Sequence, residues 1–593
     1  MLVYGDAKRV EDPREKAARI RAGLERLEGI SLPVERHSTW AELLVEAGEL
    51  EQGLLDHEFE AQGEDRSGPV RQAASRLTRA VAEALLGSFR AICDGSGALA
   101  QVAPVWSALQ NLLDLGLPEA VSVSVPEGFA FYGLYPETYF QAAAKLGAGR
   151  LSVIGIRSIG TALAAAVAAM VGEGASVVSV RPEGHPFARQ LAVSEELGRR
   201  ALGEPGTRYA VVDEGPGLSG SSFGCVADWL EDRGVAPEAV SFFPSHRGSL
   251  GPYASERHRR RWERAPRLVA EFEEVFTGPG SPWPLERWVE DLTGAAEAPP
   301  EDLSAGRWRE RLIPDRSQWP AVDIQGERRK YLLAAGGRRW LLKFAGLGRY
   351  GREKLEMARA LDGAGLIPPV AGLRHGFLVG PWLESARPLP LAPEVDRATL
   401  LDAVARYLAF RVSRFPVPPG VRGATPEKLF EMAAFNIRRA LEADLGETVK
   451  EWRDRLAEVS RLERPVLTDN KMHAWEWLVT SEGKILKADA LDHHRGNDLI
   501  GPQDLAWDLA GAAVELDLDE EELDFLAGAV AHRSGAPQAG PVQLGFYRVA
   551  YLAFQIGRHT LAAEALAGSA PEEAAGMKVE VERYAEPLRV ATA

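Results

Sequence analysis

Four short apolar runs constrain this chain most: Leu151-Ser-Val-Ile-Gly-Ile156, Ser176-Val-Val-Ser-Val180, Tyr209-Ala-Val-Val212 and Ala239-Val-Ser-Phe-Phe243. Each is followed by glycine and then by a segment of helical spacing, so strands alternate with helices from about residue 100 to 245. That alternation predicts an α/β unit with a parallel sheet.

The rest of the chain reads differently. Residues 1–95 carry apolar positions at three- and four-residue spacing, as in Trp40-Ala-Glu-Leu-Leu-Val-Glu-Ala, and predict a helical N-terminal region. The α/β unit takes 96–250. A basic tract, Arg257-His-Arg-Arg-Arg-Trp-Glu-Arg, reads as a solvated helix face in a helical linker at 251–305, which ends in Pro/Gly-rich joints. Beyond it, Lys330-Tyr-Leu-Leu and Trp340-Leu-Leu-Lys-Phe344 flank Ala335-Gly-Gly-Arg338 as a hairpin, followed by a helix through Leu361 and mostly helical sequence to the end. This gives a fourth region at 306–593. With 593 residues, 46% of them hydrophobic, the chain has material for several cores.

Charge and cysteine content narrow the function. A net charge of −16 disfavours nucleic acid and anionic membranes as partners and fits small-molecule substrates; it leaves the oligomeric state open. Cys93 and Cys225 are far apart and form no metal-type motif, which fits a reducing cytoplasm. The longest apolar stretch, Ala162 to Val171, is too short for a membrane span.

Two constellations carry chemistry. The strand ending in Val211-Val212 delivers Asp213 and Glu214 to the carboxyl edge of the sheet, and Gly215-Pro-Gly-Leu-Ser-Gly-Ser-Ser222 then supplies backbone N–H groups and hydroxyls suited to an anion. Carboxylates beside such a cradle suit a ligand with sugar hydroxyls at one end and phosphate at the other. This segment resembles the type I phosphoribosyltransferase family. The resemblance implies that Asp213 and Glu214 contact ribose hydroxyls, and that Gly217, Ser219, Gly220, Ser221 and Ser222 hold the 5′-phosphate of phosphoribosyl pyrophosphate or a nucleotide. It further implies that Arg157, Ser158 and Gly160, in Arg157-Ser-Ile-Gly-Thr161, form a pyrophosphate loop. Val180-Arg-Pro-Glu-Gly-His-Pro-Phe187 stands where that family has its mobile catalytic loop, without the lysines of the orotate-type enzymes. The aromatic run Phe129 to Tyr139 could cover a base or pack as core.

The second constellation is dispersed. Lys343 ends a strand-like run and Glu353 opens the next helix. Downstream come Asp469 in Leu467-Thr-Asp-Asn-Lys-Met-His473, Asp489 in Leu486-Lys-Ala-Asp-Ala-Leu-Asp-His-His494, and Asp508 in Trp507-Asp-Leu-Ala. The order resembles the aminoglycoside phosphotransferase and choline kinase-like family, with its α+β bilobal protein-kinase-like fold. The resemblance implies ATP bound by Lys343 and Glu353, Asp469 as the catalytic residue at the acceptor hydroxyl, Mg2+ on Asp489, and Asp508 as a brace of the catalytic loop. Ala474 replaces the family's second metal-binding Asn; His473, Asp492, His493 and His494 are candidate replacements, with His473 foremost. No Gly-rich loop precedes Lys343, only Gly326.

The expected protein is a multidomain cytoplasmic enzyme that joins a phosphoribosyltransferase-like α/β unit to an ATP- and Mg2+-dependent kinase of small-molecule hydroxyls. The alternative is a nucleotide-binding sensor in which both units are degenerate. No Gly-x-Ser-x-Gly elbow supports a hydrolase.

Overall fold

The computed structural model describes the chain except residues 6–7, 218, 252, 442–445, 492 and 591–593, with backbone alone at 446–450, 495 and 590. A short strand, β1 (Lys8–Glu11), pairs antiparallel with β2 (Val121–Ser124). Between them lie α1 (Pro13–Leu27), α2 (Pro33–Gln62), α3 (Pro69–Cys93) and α4 (Ala103–Leu113). The first three of these helices open on proline, whose missing N–H would have had no partner at a helix start. After α5 (Pro136–Ala143) the apolar runs form β3 (Leu151–Ile156), β4 (Ala175–Val180), β7 (Arg208–Val212) and β8 (Val240–Phe243), with a hairpin of β5 (Pro182–His185) and β6 (Ala188–Leu191) between β4 and β7.

The sheet is parallel, in the order β4-β3-β7-β8. The chain leaves β3 toward one side and returns on the other, so the order reverses between β3 and β7. Alternate residues point to opposite faces. Val153, Ala210 and Val212 join a core with α2, α3 and α6 (Gly160–Val171); Ile154, Ile156 and Val211 join a second with α7 (Glu195–Leu202), α8 (Ser221–Glu231) and the helix that follows β8. Half of helix α6 is alanine, the helix is buried around most of its circumference, and a Cβ added at Gly48 of α2 would stand 2.8 Å from the Ala162 Cβ. Small residues let these helices approach closely.

The basic tract forms α9 (Glu256–Arg264), and it is less solvated than its composition suggests. Arg261 pairs with Asp228 and Glu231 of α8, while Trp262 is buried against Phe242. Phe129, Phe131, Tyr135 and Tyr139 are core residues, which decides the role of the aromatic run in favour of packing.

Helices α10 (Phe272–Phe276) and α11 (Leu285–Thr293) lead into the second half. There β9 (Glu301–Asp302), β10 (Lys330–Ala335), β11 (Arg338–Phe344), β12 (Gly372–Arg374) and β13 (Phe377–Pro381) make an antiparallel sheet in the order β12-β13-β11-β10-β9. The anticipated hairpin is β10-β11, with Ala335 opposite Arg338. Helix α12 (Trp308–Leu312) lies between β9 and β10, and α13 (Arg349–Gly363) follows β11. A helical lobe completes this α+β half: α14 (Arg397–Arg414), α15 (Pro426–Leu441), α16 (Gly446–Leu462), α17 (Leu505–Glu515), α18 (Glu520–Ser534), α19 (Pro541–Leu566) and α20 (Pro571–Val590).

The packing ignores the composition break near residue 300. One hydrophobic core runs from Ala17 to Val379 and includes the N-terminal helices, one face of the parallel sheet and the antiparallel sheet; the helical lobe has a core of its own. A buried ion network reinforces the junction. Arg349 on α13 reaches Glu49 of α2 at 2.5 Å, and Lys16 of α1 reaches Glu49 at 2.6 Å and Glu46 at 3.0 Å.

Candidate active site

A cleft of about 230 Å³ separates the antiparallel sheet from the helical lobe. Leu341, Trp382 and Leu478 give it an apolar wall, and Lys343, Lys471, Glu476, Asp489 and His493 give it a charged one. Lys343 stands near the end of β11, and its ammonium lies 2.6 Å from Asp489, which follows a strand of the opposite lobe, Ile485–Lys487. A cation from one lobe thus meets an anion from the other. Burial alone would raise the pKa of Asp489, yet Lys343 and His493 hold it well below the carboxylate range. Glu353 is half-buried on α13 and is not among the residues lining the cleft.

Asp469 lies behind this wall rather than on it, with 1% of its surface exposed. Tyr407 donates its hydroxyl proton to Asp469, Lys487 lies 3.4 Å away and His493 Nδ1 lies 3.2 Å away. The other ring nitrogen of His493 is 3.5 Å from Asp489, so His493 lines the cleft and bridges Asp489 to the buried Asp469. Burial opposes ionisation of Asp469, but Lys487, His493 and Arg411 keep its carboxyl strongly acidic.

Two buried groups fix the loop that carries Asp469. Asp508, on α17, accepts hydrogen bonds from the backbone N–H of Asp469 at 2.8 Å and of Asn470 at 2.9 Å, and Asn470 is left-handed with φ +68°. Burial and the neighbouring Asp469 charge push the Asp508 carboxyl up to about 6. Arg411, on α14, donates to the carbonyls of Leu467, Thr468 and Ala490, tying the Asp469 loop to the Asp489 loop. Sequence reasoning passed over Arg411 because it stands 58 positions from Asp469 in an ordinary helical pattern.

The structure separates the two expected metal ligands, Asp489 and His473. His473 lines the cleft but pairs with Glu515 at 3.1 Å and stacks on Trp475 at 4.3 Å. The groups that converge are Glu476, Asp489 and His493, with ligand atoms within 4.8 Å of one another. Their two carboxylates fit the oxygen preference of Mg2+ and Mn2+, whereas the imidazole is a donor better suited to softer ions such as Zn2+ or Fe2+. Glu476 was missed; its only signal was its place two residues beyond Ala474. His494 is buried behind the loop, 3.4 Å from Arg411, and Asp492 lies outside the described residues.

In the α/β unit, Asp213 and Glu214 follow β7 at the point where strand order reverses, the position at which open α/β sheets bind ligands. Burial pushes Asp213 up to about 7 and Glu214 up to about 8, the latter with help from Glu127 and Asp213. Gly160 begins α6 against the end of β7: a Cβ there would stand 2.6 Å from the Val212 carbonyl oxygen. Ser158 sits in the turn between β3 and α6. Ser219 and Ser221 donate to the Pro186 carbonyl at the tip of the β5-β6 hairpin, at 2.9 and 2.6 Å, and Gly217 and Gly220 both have positive φ. Ser222 lies in the first turn of α8.

Arg157 departs from its expected role. Its guanidinium is buried and engaged by Asp65 and, at 2.9 Å, by Asp56, both from the N-terminal helical region. These acids lie about a hundred residues upstream in helical sequence, so nothing local to Arg157 announced them.

No protein-family model matches the chain, and no curated protein matches it. Solved structures of small-molecule kinases match about half of it. Choline kinase LicA from Streptococcus pneumoniae is 16% identical, covers 43% of this chain and 89% of its own, and gives a TM-score of 0.30. A choline/ethanolamine kinase family protein from Mesorhizobium loti is 14% identical over 50% of this chain and 94% of its own, with a TM-score of 0.29. For a putative aminoglycoside phosphotransferase from Ralstonia eutropha the corresponding values are 12%, 51%, 97% and 0.32.

Proposed function

We propose that the carboxy-terminal half is an ATP- and Mg2+-dependent kinase that phosphorylates a hydroxyl of a small molecule. The observation that carries this reading is the pairing of Lys343 with Asp489 across the cleft, beside an Asp469 loop braced by Asp508. Phosphoryl transfer is mostly positioning and charge neutralisation. The apolar wall of Leu341, Trp382 and Leu478 suits a flat base, and Lys343 supplies positive charge at its phosphates. Glu476, Asp489 and His493 would hold the divalent ion, which when bound neutralises charge on the phosphates. Asp469 holds His493 through Nδ1, which leaves Nε2 facing Asp489 and the ion. Calorimetry with ATP and Mg2+ tests the assignment: Lys343→Met should weaken binding by at least tenfold, and equal affinity in the variant would reject it.

For the α/β unit, the raised carboxyls at the strand reversal and the positive-φ glycines Gly217 and Gly220 beside them support a site for a phosphorylated sugar such as phosphoribosyl pyrophosphate. Asp213 and Glu214 would take the hydroxyl end, and Gly217 to Ser222 the phosphate. Binding that is lost in Asp213→Ala supports this; no binding to the intact protein refutes it. Tight nucleotide binding in both halves with no turnover would favour the sensor reading.

A further inference from the structure

His37 of α2, Glu137 of α5 and His375 of the β12-β13 turn come together outside the lining of the cleft, each with a side chain that is 0% exposed. The two imidazoles approach the same carboxylate oxygen through Nε2, His37 at 2.6 Å and His375 at 3.3 Å. The far nitrogen of each ring rests on a serine: His37 Nδ1 is 3.1 Å from Ser88 Oγ, and His375 Nδ1 is 3.2 Å from Ser38 Oγ. Trp283 and Trp288 pack against the rings and make the surroundings dry.

Hydrogen bonding leaves two buried atoms of this cluster without a partner among the described residues. Ser38 donates its own proton to the Val34 carbonyl at 2.7 Å, so its oxygen accepts from His375 Nδ1–H. That tautomer turns the Nε2 lone pair toward the Glu137 oxygen, and His375 Nε2 makes no hydrogen bond among the described residues. The second oxygen of Glu137 is also buried without a partner. His375 moreover holds a left-handed backbone, φ +42°, a strained conformation for a residue with a side chain.

We propose that His37, Glu137 and His375 form a buried structural zinc site. Zinc takes imidazole nitrogen and carboxylate oxygen at about 2.0–2.2 Å, and a two-oxygen carboxylate with two imidazoles supplies four donor atoms. The ligand atoms already lie within 4.8 Å of one another. Serine partners on both Nδ1 atoms orient the lone pairs, as metal-bound histidines require. The ion fastens the N-terminal helices and the α/β unit to the antiparallel sheet of the second half. Nothing in this site depends on the kinase reading.

The test is metal content by mass spectrometry of the full-length protein after refolding with limiting zinc, beside His375→Gln, Glu137→Gln and Asp489→Asn. Zinc at about one equivalent in the parent and in Asp489→Asn, falling about tenfold or more in the other two variants, supports the site. Co2+ substitution should then give visible absorption in the parent that both ligand variants lose. Absence of zinc from the parent overturns the proposal. So does zinc that persists in both ligand variants or disappears in Asp489→Asn, which would place the ion in the cleft. Should the ligand variants misfold, Ser38→Ala keeps all three ligands and should weaken zinc affinity about 10- to 100-fold; unchanged affinity counts against the site.

Discussion

Asp508→Ala isolates the brace under the Asp469 loop. The carboxylate is 1% exposed and accepts two backbone N–H groups, at 2.8 and 2.9 Å, one of them from left-handed Asn470. Alanine leaves both donors buried without an acceptor, at about 1–3 kcal/mol each. Taking about 3 kcal/mol as the net local cost, after the loop relaxes its Asn470 strain, opening of the loop becomes roughly a hundredfold more frequent. Hydrogen–deuterium exchange over residues 465–475 reads that opening directly and does not require a substrate. Asp508→Asn, which keeps the shape and one acceptor, should fall between parent and alanine. Unchanged exchange over this segment in a folded Asp508→Ala protein would refute the reasoning and assign the loop's rigidity to Arg411 instead.

The parallel-sheet crevice makes a prediction with a sign. Glu214 is raised to about 8, so between about pH 4.5 and 8 the folded chain holds a proton that the unfolded chain releases. Stability therefore falls as pH rises through that window. Glu214→Gln should melt like the parent at pH 4.5 and increasingly above it toward pH 8.5; identical pH dependence would show that the carboxyl is not protonated in the fold. Arg349→Ala removes a cation that lies 2.5 Å from Glu49 and 3.3 Å from Glu46 in a buried network. It should lower stability by about 3–5 kcal/mol in urea titrations, and a shift below about 0.5 kcal/mol would mean that Lys16 and Arg9, the latter 3.6 Å from Glu49, suffice.

Local features were legible in the sequence wherever one segment determined the outcome. Apolar runs marked β3, β4, β7 and β8, Gly336-Gly337 marked the β10-β11 turn, and Lys343, Asp469, Asp489 and Asp508 stood out by their order along the chain. What escaped depends on distant partners. Arg157 looks like an anion ligand until Asp56 and Asp65 arrive from the N-terminal helical region, and Lys343 meets Asp489 from 146 positions away. The shared core across residue 300 escaped for the same reason. A Pro/Gly-rich joint signals a turn in the chain, whereas apolar residues on either side of it decide whether the cores merge.

Turnover tests the central claim most directly. The full chain is incubated with ATP and Mg2+ against a panel of amino alcohols, sugars, aminoglycosides and nucleosides, with ADP and phosphorylated acceptor both measured. The account predicts ADP formed in step with one acceptor's phosphate ester, and loss of both in Lys343→Met. ADP formation that is the same in Lys343→Met, or bound ATP that no acceptor converts, would contradict it.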